Sequence, residues 1–110
     1  MNIFFHRKHY LFDSQLKIRE MLKALNCLPL WKFFERDSDR WGIYTSSFAE
    51  RPGVVAVKII EDQGRYAVNL SYESTGPGAA EDWDKVLREL FERILPAIGA
   101  ANILETSDYE

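Results

Sequence analysis

From Glu81 to Leu95 the apolar residues Trp83, Val86, Leu87, Leu90, Phe91, Ile94 and Leu95 return once per helical turn, so this segment predicts a helix with one buried face. Its first turn holds Glu81, Asp82 and Asp84, and Arg88 and Arg93 lie further along, the order that suits the helix dipole. Pro96 and Gly99 close it. A second helix is expected upstream, where Ile18, Met21, Leu22 and Leu25 follow the same period, with Asp13 or Ser14 as its cap and Asn26 and Pro29 at its end.

Between the two helices the period changes to two. Arg65 to Glu73 alternates most cleanly, with Tyr66, Val68, Leu70 and Tyr72 on one face and Ala67, Asn69, Ser71 and Glu73 on the other. Val54 to Glu61 is apolar on both faces, which predicts a central strand. Leu30 to Arg36 and Trp41 to Phe48 read as two more strands. Three turns separate these runs. They are Asp37-Ser38-Asp39, then Glu50-Arg51-Pro52-Gly53 with its glycine free to take a positive φ, then Asp62-Gln63-Gly64. At the start, the charged patch His6-Arg7-Lys8-His9 divides Asn2–Phe5 from Tyr10–Phe12 and predicts an interrupted strand or a tight hairpin. Asn102 to Glu105 predicts one more short strand, and Thr106 to Glu110 an acidic, frayed end. Ser74-Thr75-Gly76-Pro77-Gly78 is the one loop-rich stretch. The expected fold is two-layer α+β: an antiparallel meander sheet of four to six strands carrying two helices, in a single domain over residues 1–110.

Composition adds limits. With 46% hydrophobic and 28% charged residues the chain has an ordinary globular balance, and no apolar run reaches the roughly 18–20 residues a membrane helix needs. The opening lacks the form of a secretory signal, so a cytoplasmic location is expected, with no membrane contact. A single cysteine, Cys27, excludes an internal disulfide, and its neighbours Leu22, Leu25 and Leu28 predict a buried structural thiol.

The net charge is −3, unevenly spread: residues 1–30 carry five Lys/Arg against two Asp/Glu, and residues 31–110 carry nine against fifteen. Such a balance suits a basic protein partner better than the phosphates of nucleic acid.

No motif for catalysis stands out. His6 and His9 are three apart, but Arg7 and Lys8 between them repel a cation, so no metal site is expected. Carboxylate pairs such as Glu61 with Asp62 and Glu81 with Asp82 sit at turns and helix starts, where solvation or capping explains them. Ser46, Ser47 and Ser71 lack the glycine-flanked elbow of a nucleophile, and neither dinucleotide nor phosphate loops occur, so no cofactor is expected.

What remains is a surplus of rings: three Trp, five Tyr and seven Phe. Trp31, Phe33, Trp41 and Trp83 are expected in the core, and Tyr44, Phe48, Tyr72 and Tyr109 at the surface. Aromatic residues beside charge, as in Phe34 to Trp41, suit a protein contact. A non-enzymatic binding protein is therefore expected, with Glu35, Asp37, Asp39, Tyr44, Glu61, Asp62, Tyr72 and Glu73 as partner-binding residues. Two other readings are a small enzyme or ligand-binding domain using His6, His9 or Tyr72 in a pocket between helix and sheet, and a secretion chaperone or homodimeric adaptor.

Taken whole, an acidic one-domain α+β chain with aromatic-acidic hairpins and no enzyme signature resembles the immunity proteins of bacterial polymorphic-toxin and contact-dependent growth inhibition systems. The resemblance implies a protein, monomeric when free, that neutralises one cognate toxin domain by direct binding. That domain is often a basic nuclease, whose phosphate contacts Glu35, Asp37, Asp39, Glu61, Asp62 and Glu73 would mimic.

Overall fold

In the computed structural model, residues 3–29, 31–40, 42–50 and 53–106 are described, with residues 48–50 described as backbone alone. The expected placements of Asn2, Leu30, Trp41, Arg51, Pro52 and Tyr109, and of the Phe48 side chain, lie outside the described residues. The fold is two-layer α+β, a six-stranded antiparallel sheet with two helices. The strands are β1 (Phe4–Asp13), β2 (Phe33–Ser38), β3 (Gly42–Glu50), β4 (Val54–Asp62), β5 (Arg65–Ser74) and β6 (Ala101–Thr106), in the spatial order β2-β3-β4-β5-β1-β6. Helix α1 (Ile18–Leu25) follows β1, and α2 (Ala79–Glu89) follows β5.

The meander of β2 to β5 forms as the alternation predicts, and the β-branched β4 stands beside β5 in the middle of the sheet. Gln63 and Gly64 turn the chain between Asp62 and Arg65, both with positive φ (50° and 83°), the two-residue turn whose twist matches its flanking strands.

β1 is one uninterrupted ten-residue strand, not a broken one. Its charged patch is tolerated because alternation divides it between two faces. His6 turns toward α2 and stacks on Trp83 with centroids 5.4 Å apart, while His9 turns to the other side and bonds Asn69 across the ladder at 2.7 Å.

Both helices lie on one face of the sheet, α1 over β2, β3 and β4 and α2 against β1. The core fills the space between, from Phe12, Met21 and Leu25 through Val55, Val57 and Ile59 to Tyr72, Leu90, Ile94 and Ile98, all at most 1% exposed. Each such side chain contributes about 1.5–3 kcal/mol by leaving water. Trp31, Phe33 and Trp83 belong to this core as the sequence predicts.

The helix boundaries differ in detail. α1 begins at Ile18 after Lys17, whose backbone N–H donates to the Glu20 carboxylate at 2.9 Å, so neither Asp13 nor Ser14 caps it. Asp13 ends β1, and the Ser14 hydroxyl instead donates to the Ile98 carbonyl at 2.6 Å. Cys27 is exposed in the turn beyond α1, because the helix has already ended at Leu25. α2 starts two residues earlier than expected and runs on through a π-helical stretch, Leu90–Ile94, to a last turn, Leu95–Ala97. Pro96 lacks the N–H that regular winding would use, and the Leu95 N–H reaches the Leu90 carbonyl five residues back. Phe91 is 39% exposed with its ring edge-on to Tyr10 at 5.0 Å, while Leu90, Ile94 and Leu95 stay inside.

Candidate functional site

Because both helices occupy one face, no element among the described residues covers the other face of the sheet, and strand alternation decides what it displays. The register builds that face in transverse rows. Phe34, Ser46, Lys58, Asn69, His9 and Thr106 stand in line across all six strands. Toward one end, Arg36 pairs Tyr44, and Ile60, Ala67, Leu11 and Leu104 form a second line. Toward the other, Ala56, Ser71 and Arg7 form a third. Ile60 and Ala67 are out of water even here, shielded by their neighbours in the row. Phe5, Phe34 and Leu104 are not, at 48%, 44% and 57% exposed.

The rings of Phe5, Phe34 and Tyr44 on this face carry cations. The Arg7 guanidinium lies 5.4 Å from the Phe5 centroid, Lys32 Nζ and the Arg36 guanidinium lie 5.5 and 5.6 Å from Phe34, and Lys58 Nζ lies 5.7 Å from Tyr44. These contacts are within the range of cation–π attraction and hold long, flexible cations in fixed places. At one corner Arg65 Nε donates to Asp13 at 2.8 Å and its other end to the Asn102 carbonyl, while Asn102 Nδ2 also donates to Asp13 at 2.8 Å. Donation from Asn102, then from Arg65, holds the Asp13 carboxyl below its ordinary value.

The eight residues expected to meet a partner are scattered. Glu35, Asp37 and Glu61 fall on the helix side of their strands, Asp39 in the turn after β2, and Tyr44, Asp62 and Glu73 on the uncovered side. Tyr72, expected at the surface, is fully buried, since it shares a face with Val68 and Leu70. The turn expected at Asp37-Ser38-Asp39 begins only at Asp39, because β2 runs through Ser38. Glu35 is held by Arg19 of α1 at 2.8 Å. Asp37 and Glu61 gather at one end of the sheet and Glu73 stands at the other, eight residues along β5 from Arg65 or about 26 Å, so the carboxylates form no common patch. Near the first end the Tyr66 phenol is pushed up by burial, and further by Glu61 and Glu20.

His6, His9 and Tyr72 do not converge on a pocket: the histidines face opposite sides and the tyrosine is in the core. Among the described residues no three His, Cys, Asp or Glu side chains gather as metal ligands do. A shallow hollow of about 680 Å³ between the end of β1 and the close of α2 is lined chiefly by Asp13, Ser14, Leu16, Pro96, Ile98 and Asn102.

Sequence reasoning placed Tyr44 at the surface, where it lies half-buried, and did not single out Phe5 or Lys58. The signal was present as period-two alternation, but it gains meaning only when six strands are set in register. Neither a protein-family model nor a curated protein matches the chain.

Proposed function

We propose that this is a non-enzymatic binding protein that holds a protein partner on the uncovered face of its sheet. One observation carries the reading: on that face the exposed ring of Phe5 holds Arg7 and the exposed ring of Phe34, on the edge strand, holds Arg36, with Lys58 over Tyr44 between them. Aromatic and arginine side chains are the residues most enriched at the energetic centres of interfaces. Neutralisation of a toxin domain by an immunity protein is the specific form of this proposal that the resemblance suggests.

The test compares Phe5→Ser with Phe34→Ser, combined, against Arg88→Glu on the exposed side of α2. The partner is captured by crosslinking in the source cell, purified and titrated calorimetrically against all three proteins. The double variant is expected to bind at least about tenfold more weakly and Arg88→Glu within about twofold of the parent. Equal affinity for the parent and the double variant would remove the face from consideration. For a toxin–immunity pair, protection of growth falls with the same double variant.

A further inference from the structure

Resting on that binding reading, we infer that the partner presents an acidic protein surface to this face. The whole chain is acidic, with a net charge of −3, yet the three central rows of the uncovered face place Arg7, Arg36 and Lys58 beside the neutral Ser46, Asn69 and Ser71. Among the described residues those rows contain no carboxylate. Lys32 joins them over the Phe34 ring. The sign is opposite to the one the whole-chain balance suggests.

Two further features narrow the occupant. The rings fix the cations before a partner arrives, so less side-chain freedom is lost when carboxylates meet them, and the arginine fork matches a carboxylate in two bonds. The cationic zone is also bounded. Asp62 and Asp13 stand at one end of the face and Glu73 at the other, while from β2 to β1 it spans about 19 Å at the usual strand spacing. A long phosphate chain running past either end meets like charge, whereas a compact acidic patch fits inside. A protein surface is thus favoured over single-stranded nucleic acid.

The test uses the full chain, isotopically labelled, with three probes: a short peptide of alternating glutamate and leucine, its lysine counterpart, and an oligothymidylate of similar length. The glutamate peptide is expected to shift the amides of Arg7, Ser46, Lys58, Asn69 and Ser71, and to weaken about tenfold between low and moderate salt. The triple variant Arg7→Gln/Arg36→Gln/Lys58→Gln is expected to weaken it about tenfold while keeping the parent circular dichroism. Arg36→Gln alone, on the exposed edge strand, gives a smaller loss of the same kind should the triple variant fold poorly. Tighter binding of the lysine peptide or of oligothymidylate overturns the inference, as does no shift with the glutamate peptide, or shifts confined to the helix side. Against the captured partner, loss with Phe5→Ser/Phe34→Ser but none with the glutamine variant rejects the acidic assignment and leaves the binding face standing. If neither variant alters capture, both proposals fall.

Discussion

Gly53 lies against the tip of the Tyr72 ring: a methyl group on its α-carbon would stand 2.7 Å from Tyr72 Cζ, 2.5 Å from the Glu73 carbonyl oxygen and 2.8 Å from Ser74 Cβ. The glycine is required by this close approach. Gly53→Ala is expected to destabilise the protein by about 1–3 kcal/mol through overpacking. Urea denaturation measures it, and an unchanged midpoint would show that β5 shifts freely to make room.

The Asn26 side chain acts as a short piece of strand. Its Oδ1 accepts from the Phe33 N–H at 2.7 Å and its Nδ2 donates to the Phe33 carbonyl at 3.1 Å, tying the turn after α1 to the start of β2. Asn26→Ala is expected to cost about 1–2 kcal/mol, and Asn26→Asp, which keeps only the acceptor, to fall between the two. Equal stability of the alanine and parent proteins would mean that water replaces both bonds.

Acid should weaken the corner where Asp13 meets Arg65 and Asn102. The folded state holds the Asp13 carboxyl below its ordinary value of 3.8, so its contribution is complete above that range and is lost as pH falls through the lower folded value. Melting temperatures of the parent and Asp13→Asn, followed from about neutral to about pH 2, should converge toward the acid end. A gap independent of pH would count against the linkage.

Alkali should act through Tyr10 and Tyr66. Burial raises both phenols above their ordinary 10.0, aided by Glu105 at Tyr10 and by Glu61 and Glu20 at Tyr66. Their contribution to stability is therefore complete below that value and lost as pH rises through the raised ones. Ring carbon shifts followed by NMR should show both titrating late, and Glu105→Gln should lower the Tyr10 midpoint while leaving Tyr66 in place.

Gln63 takes a φ of 50°, a conformation that costs a residue with an ordinary side chain about 1–2 kcal/mol and that asparagine adopts more readily. Gln63→Asn should raise stability by about 0.5–1 kcal/mol in thermal or urea unfolding. A loss instead would mean that the glutamine makes a compensating contact.

The elements were legible where local period was strong. Alternation in β5 placed Tyr66, Val68, Leu70 and Tyr72 together, and the apolar stripe of α2 found the helix that meets Tyr72 through Trp83. That same alternation assigns Tyr72 to the core, so its chemical type was a poorer guide than its place in the pattern. The π-helical winding was hidden because an apolar stripe at regular helical period gives no sign that the Leu95 N–H reaches back five residues to Leu90. β1 misled for a related reason: a run of four polar residues reads as a break unless one asks where each side chain goes. The candidate surface was least legible, since it joins Phe34, Lys58 and His9 from three distant segments through a register that no local window contains.

The position of β1 has a consequence for how the molecule is made. Both of its neighbours are synthesised later, β5 at Arg65–Ser74 and β6 at Ala101–Thr106. On the ribosome the first strand therefore emerges with no partner, while the β2–β5 hairpins can zip together behind it. Chaperone occupancy of the nascent chain should centre on Phe4–Phe12 and end only when β5 has cleared the exit tunnel.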